Sequence, residues 1–316
     1  MTQIVMLGCG ALGGLFAHHL ALAGAQVAAV DIWAEHVAAI RAQGLRVQFP
    51  GTVVASPLRD AHTDAAALQG RAVDYLVLFT KSYASREALQ SARALVGPKT
   101  VLVTLQNGLG NPQLMQAMFP QQTVLYGVTT LTSDTLAPGL IEPRSTTSGV
   151  TDLCALDSVD ADGALPRFVA LLQRGGIAAS AAPDIALAVW KKLVINCAFN
   201  GLCAVAELTC GELVADTTMW PVLDGIAAEV AELARAHGVD LADDEASRFL
   251  RQVAEASKAH YPSMVDDLRH RRRTEIDGIN GAVLRECNAL GLPAPANRLV
   301  HGLVTALEAR NAALAA

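Results

Sequence analysis

Aromatic residues make up only 4% of this 316-residue chain, too few for the rows of flat rings on which single-strand binders stack bases. Positive charge is not in excess either. Twenty-four Lys+Arg against 30 Asp+Glu leave a net charge of −6, whereas a nucleic-acid partner needs a basic surface to neutralise phosphates. No C-x-x-C pair occurs among the six cysteines at 9, 154, 197, 203, 210 and 287. That spacing argues against a zinc site and a disulfide framework, so no metal is expected and the thiols read as reduced. The N-terminus, M-T-Q-I-V-M-L-G, has no basic segment leading into an apolar one, so it does not read as a signal peptide. The longest uncharged apolar-leaning run, residues 193–206, is fourteen residues long and contains two Asn, short of the ~20 that a membrane span needs. These absences predict a soluble, cytoplasmic protein with no membrane or nucleic-acid partner.

What is present is apolar: 52% hydrophobic residues against 17% charged, which excludes disorder for the bulk of the chain. At about 150 residues per domain the length predicts two domains, each able to build a core without a staple. In the first half, apolar runs at 4–7, 26–30, 74–80, 101–105 and 124–130 alternate with helical stretches at 11–23 and 35–43. That alternation predicts parallel strands with crossover helices. Residues 140–156 are Gly, Ser and Thr rich and read as antiparallel strands at the sheet edge. After Pro183-Asp184 the texture changes. Residues 185–207, 218–237, 242–259 and 269–290 all read as helices, with Gly238 and Gly291 where C-caps belong. The fold class is therefore α/β: a parallel-sheet domain over residues 1–182, then an all-helical domain over 183–316. Apolar helices such as 218–237 leave either a monomer or a homodimer open.

Gly8-Cys9-Gly10-Ala11-Leu12-Gly13 fits G-x-G-x-x-G, follows a strand and opens a helix. In a nucleotide site the first Gly makes the tight turn and the second lets the backbone approach the pyrophosphate. The third lets the helix pack against the strand, and the helix N-terminus meets the phosphates. The alternative is a plain strand–turn–helix junction. Asp31, eighteen residues after Gly13, ends the second strand. A carboxylate there accepts from a ribose diol and repels a 2′-phosphate, which favours NADH over NADPH; otherwise it caps the following helix. Lys81 and Asn107 each follow a predicted strand, at the sheet end where ligands bind. Lys81 can counter anionic charge and Asn107 offers donors and an acceptor, although each also fits an ordinary loop position.

Lys192, Asn196 and Asn200 recur at i, i+4 and i+8 on an otherwise apolar helix, in a polar row on one face. Such a row must find partners, either a substrate carboxylate and hydroxyls or an interhelical network. A partly buried lysine there has a lowered pKa and can donate a proton near neutral pH. The basic run Arg269-His270-Arg271-Arg272-Arg273 reads as a solvated or carboxylate-paired helix face. Ser263 and Glu275, twelve residues apart, are brought together only by a bend, expected near Pro262.

Together L-G-C-G-A-L-G at 7–13, Lys81, Q-N-G at 106–108, W-K-K-L-V-I-N-C-A-F-N at 190–200, P-S-M at 262–264 and T-E-I-D-G-I-N-G at 274–281 resemble the ketopantoate reductase (2-dehydropantoate 2-reductase) family over nearly the whole chain. The resemblance implies a Rossmann-type dinucleotide-binding domain over 1–182, a helical substrate-binding and catalytic domain over 183–316, and a pantothenate-biosynthesis oxidoreductase that transfers hydride from NAD(P)H to the C2 ketone of ketopantoate, giving (R)-pantoate. It makes Lys192 the proton donor and Glu275 the acid that orients the site and contacts the cofactor. Asn107, Asn196, Asn200 and Ser263 would hold the substrate, and Lys81 and Asn107 would lie by the cofactor. NADPH is the usual cofactor of that family, and members using it carry a basic residue where this chain has Asp31. Cys210, in T-C-G-E-L, stands where some relatives have Asn. Because the family also includes NAD-dependent D-2-hydroxyacid dehydrogenases acting on branched or aromatic 2-oxo acids, that activity is the alternative. A dinucleotide-sensing binding protein is the alternative without turnover.

Overall fold

The computed structural model describes every residue except 59, 145–148, 159 and 316, and the side chains at 158, 161 and 315 are likewise outside the description. Two units emerge: one formed by Met1–Gln106 and Asn111–Ile185, the other by Asn107–Gly110 and Ala186–Ala316. The division therefore falls at 185/186, three residues beyond the boundary read from the sequence, and a four-residue loop from the first half belongs to the second unit.

In the first unit, β1 (Gln3–Leu7), α1 (Ala11–Leu22), β2 (Gln26–Val30) and α2 (Ala34–Gln43) come first, followed by β3 (Arg46–Phe49), β4 (Thr52–Ala55) and β5 (Asp60–His62). Then come β6 (Tyr75–Leu78), α3 (Ser85–Ser91), β7 (Val101–Thr104), α4 (Asn111–Met118) and β8 (Val124–Thr129). The unit ends with β9 (Ser133–Ala137), β10 (Leu140–Pro143), β11 (Val150–Ala155), α5 (Ala164–Arg174) and β12 (Ala178–Ala181). Eight strands form one sheet in the order β12-β11-β8-β7-β6-β1-β2-β5. It is parallel from β8 to β5, and β11 pairs antiparallel with β8.

The continuous apolar strands follow from burial on both faces. Alternation sends Ile4, Met6 and Val77 to a core shared with Phe16 and Phe168, while Val5, Leu7, Leu76 and Leu78 join Leu89 and Met115 on the other side. The order reverses beside β1, between β2 and β6. That switch point makes a crevice at the carboxyl ends of the strands.

Residues 140–156 are not an edge pair: β10 joins β3, β4 and β9 in a separate four-stranded sheet, and β12 lies outside β11. The segment between β2 and β6 supplies β3 and β4 of that sheet, and the stretch after β8 supplies β9 and β10.

The second unit holds α6 (Ala186–Ile195), a π-helical turn (Asn196–Asn200), α7 (Gly201–Ala206), α8 (Cys210–Ala215) and α9 (Trp220–Ala236). After these come α10 (Asp243–Ala256), α11 (Ser263–Arg269), α12 (Asn280–Leu290) and α13 (Pro295–Ala315). Helix α9 is central: Leu223, Ile226, Ala227, Val230, Leu233 and Ala234 are fully buried among the other helices. Its apolar face is thus spent on the unit's own core. Ala186–Ala206 is long and apolar enough to cross a membrane by length and composition, contrary to the shorter run read in the sequence, but most of its apolar stretch is buried inside the protein.

Residues 269–290 are not one helix. Helix α11 closes with Arg271 at φ 54°, and Arg271 N and Arg272 N donate to Leu268 O and Asp267 O. This left-handed cap stops the helix. The break therefore comes after Arg269, and Pro262 is only the N-cap of α11. Carboxylates do meet part of the basic run, but beyond the helix and not on a helix face: Arg272 meets Asp266 and Asp267, and Arg273 lies 3.1 Å from Asp277.

Candidate active site

The glycine-rich turn sits at the sheet's switch point. Gly8 has φ +85°, and a Cβ there would lie 2.6 Å from Thr80 N, so only glycine lets the β1 and β6 loops touch. A Cβ at Gly13 would lie 2.1 Å from Gly8 O, which fixes how closely α1 approaches the turn. At Gly10 the demand is different: an added Cβ meets nothing within 4 Å. Gly10 is also the N-cap of α1, where no side chain caps and no acid occupies the first turn. Open space before uncapped N–H groups of Ala11, Leu12 and Gly13 fits a pyrophosphate. Cys9 is fully buried and burial pushes its thiol far up, so it is inert packing, not a nucleophile.

Asp31 does more than either sequence reading anticipated. Its carboxylate accepts from Cys9 N at 2.8 Å and from Trp33 N at 3.0 Å, so it ties the glycine turn to the start of α2. Each oxygen keeps a further lone pair for a ribose hydroxyl. Arg41, the nearest basic side chain in sequence, bonds Ala61 O and His62. His36, completely buried, was missed in the sequence. Gly139 N donates to its Nδ1 at 3.1 Å, so the proton is on Nε2 and is given to Cys9 O at 3.0 Å. Lys81 is half-buried and opens a short turn after β6. Gln106, quoted only as part of Q-N-G, bonds Thr80 O and, at 2.9 Å, Ser85 Oγ, holding that turn in place.

In the second unit, Asn107 rides on the loop 107–110. Gly108 has φ +88°, and a Cβ there would fall 2.1 Å from Gly278 O, while Leu109 N donates to the same oxygen at 3.3 Å. The loop is thus seated on the turn that begins at Glu275, whose carbonyl accepts from Gly278 N and Ile279 N. Glu275 in turn faces Lys192 electrostatically.

Of the two adjacent lysines, Lys191 is engaged with α10, at 2.6 Å from Glu245 and over the Phe249 ring. Lys192, about 100° further round the helix, keeps some surface contact, yet its ammonium is surrounded as densely as the interior. Desolvation pulls its pKa down to about 8, and the Glu275 charge holds it from falling further.

Asn196 and Asn200 are both buried and bound the π turn. Helix α11 packs on that turn and on α7, bringing the segment that starts at Ser263 beside it, with Ser263 itself exposed. Cys210 follows Thr209 in a capping box: Thr209 Oγ1 accepts from Glu212 N at 3.2 Å, and the Glu212 carboxylate accepts from Thr209 N at 2.8 Å. The T-C-G-E-L block is therefore a helix start. Among the described residues, no three metal-ligating side chains gather.

The first unit can thus cradle a dinucleotide. The second assembles a desolvated lysine, a carboxylate and amides, a set suited to binding an anion and delivering a proton.

Residues 4–156 match the family model described as "Ketopantoate reductase PanE/ApbA", and residues 184–308 that of "Ketopantoate reductase PanE/ApbA C terminal". A protein of Streptococcus pyogenes serotype M6 named 2-dehydropantoate 2-reductase is 30% identical, over 97% of this chain and 98% of the relative. Among solved structures, the ternary structure of D-mandelate dehydrogenase with NADH and anilino(oxo)acetate is similar at a TM-score of 0.90. It is 28% identical and covers 98% of this chain and 99% of that one. The ketopantoate reductase of Ralstonia eutropha JMP134 has a TM-score of 0.87 and 29% identity over 98% and 99% of the two chains.

Proposed function

The chain belongs to the ketopantoate reductase PanE/ApbA family of NAD(P)-dependent oxidoreductases, and from that premise we propose that it reduces the C2 ketone of ketopantoate to (R)-pantoate, with NADH as cofactor and Lys192 as proton donor. The observation that carries this reading is the desolvated ammonium of Lys192, which feels the Glu275 charge and stands in series with two buried asparagines. A lysine held near pKa 8 is protonated at neutral pH yet acidic enough to give up its proton.

The backbone of Gly8, Cys9, Gly10, Ala11, Leu12 and Gly13 would hold the pyrophosphate, Asp31 the adenosine ribose diol, and Lys81 and Asn107 would lie along the cofactor. NADH, when bound, supplies the hydride that C2 receives. Lys192 protonates the oxygen as negative charge builds on it, and its own charge stabilises that oxygen beforehand. Asn196, Asn200, Ser263 and Asn107 hold the substrate carboxylate and hydroxyl, so the carbonyl is met in one orientation. Glu275 keeps Lys192 charged and aimed.

A second reading is a D-2-hydroxyacid dehydrogenase acting on branched or aromatic 2-oxo acids. Asp31 favours it, as does the likeness to a D-mandelate dehydrogenase bound to NADH. A sensor without turnover would have no use for the Lys–Asn–Asn row.

Initial rates of NADH and NADPH oxidation with ketopantoate, 2-oxoisocaproate and benzoylformate test the assignment. NADH with ketopantoate is expected to give the highest kcat/KM. A benzoylformate value tenfold above it would establish the second reading, and no oxidation with any 2-oxo acid would overturn both.

A further inference from the structure

The three polar residues of the catalytic helix do not line up by α-helical geometry alone. At 100° per residue, Asn196 is rotated about 40° from Lys192, and Asn200 would be rotated about 80°. The segment from Asn196 to Asn200 is instead π-helical, with about 4.4 residues per turn and hence roughly 82° per residue. Four such steps bring Asn200 back by about 32°, to within about 10° of Lys192. The overwide turn is what makes the row a row.

A π turn carries one residue too many for the α-helical ladder, so a backbone group inside it needs an outside partner. Here Cys197 O, in the middle of the turn, accepts from Asn280 Nδ2 at 3.0 Å. Asn280 is completely buried, and its other Nδ2 hydrogen goes to Asn297 Oδ1, also at 3.0 Å. Asn297 is itself fixed: its N and Nδ2 donate to Glu229 Oε2 at 2.9 and 2.8 Å, and Ala296 N donates to Glu229 Oε1 at 2.7 Å. A carboxylate on α9 thus caps α13, orients Asn297, and through it aims the Asn280 amide at the turn. Asn280 Oδ1 is buried and has no partner among the described residues. Its two donor bonds set the orientation of the amide. Asn280 is also five residues from Glu275, so one short segment bears both the acid facing Lys192 and the amide holding the turn.

We propose that Asn280 is a positioning residue for substrate binding: by taking the Cys197 carbonyl it holds the π turn in place and keeps Asn200 in line with Lys192. This rests on the reading of Asn196 and Asn200 as substrate ligands.

A double-mutant cycle tests it. Asn280→Ala is expected to lower kcat/KM for the preferred 2-oxo acid about tenfold, with the NADH dissociation constant, read by fluorescence, within about twofold. In an Asn200→Ala background the same change is expected to cost less than about threefold, because the side chain it positions is gone. Full multiplicative loss in both backgrounds, or unchanged kinetics in the single variant, would overturn the proposal.

Should the alanine variant not fold, Asn280→Leu keeps the volume and removes both donors, and the same pattern is expected. A crystal structure of Asn280→Leu reads the question without turnover. The turn at 196–200 should rewind or migrate and swing Asn200 away; an unchanged turn would overturn the inference. Absence of turnover in the parent enzyme would instead strike the functional reading.

Discussion

Replacing Lys192 with alanine is expected to lower kcat about 10³-fold while leaving the NADH dissociation constant within about twofold. General-acid assistance contributes about 10²–10⁴-fold, and a preorganised charge facing the developing alkoxide adds to it. The cofactor cradle proposed above uses other residues, those of the glycine turn and Asp31, so on this account the NADH affinity has no reason to fall. Stability should not fall either. The ordinary lysine value of 10.5 is lowered to about 8, chiefly by desolvation. The folded state therefore disfavours the charged form. That penalty is full below about pH 8 and is relieved as pH rises towards 10.5, because the unfolded chain binds the proton more tightly. The alanine variant should thus melt at or above the parent's temperature at neutral pH, and lose that advantage above pH 10. A calorimetric scan beside the kinetics separates chemistry from folding. Matching losses in kcat and NADH affinity would speak against an acid role.

The second large effect concerns the cofactor. Asp31→Arg is expected to shift the ratio of kcat/KM for NADPH over NADH by about 10²-fold towards NADPH, since a repelled 2′-phosphate becomes an attracted one. The same change removes the two bonds that Asp31 accepts, from Cys9 N and Trp33 N, and each is worth about 0.5–1.5 kcal/mol. A modest fall in Tm should accompany the switch. Asp31→Asn serves as control: it keeps the shape and an acceptor while losing the charge, so it should weaken NADH discrimination without creating NADPH preference. If Asp31→Arg lowers Tm and leaves the ratio unmoved, Asp31 is a structural tie alone.

The nucleotide half was legible because its demands are local. A turn that admits no Cβ at Gly8 or Gly13 must be written in glycine, and strands buried on both faces must be written in continuous apolar residues. The Lys192–Asn196–Asn200 spacing was legible too. Its true geometry was not, since the π turn depends on Asn280, eighty-three residues from Cys197, and no helical period encodes so distant a partner. The break after Arg269 escaped for a related reason. The run that follows is rich in good helix formers, and the stop is made by Arg271 adopting φ 54°, a conformation usually signalled by glycine or asparagine. The four-stranded second sheet was hidden because its strands are short, and β4 is exposed throughout. Asn107 was placed at the end of a strand, but the reason it belongs with the second unit lies in the Gly108–Gly278 approach, which only the fold displays.

The most direct measurement is the pH dependence of kcat for 2-oxo-acid reduction at saturating NADH. If Lys192 gives the proton, the rate falls as pH rises through about 8, where the ammonium is lost. Oxidation of the corresponding 2-hydroxy acid rises through the same value, and the falling limb disappears in Lys192→Ala. A rate that stays level from about pH 6.5 to 9.5, or a limb that persists unchanged in the alanine variant, would contradict the assignment of Lys192 as the acid.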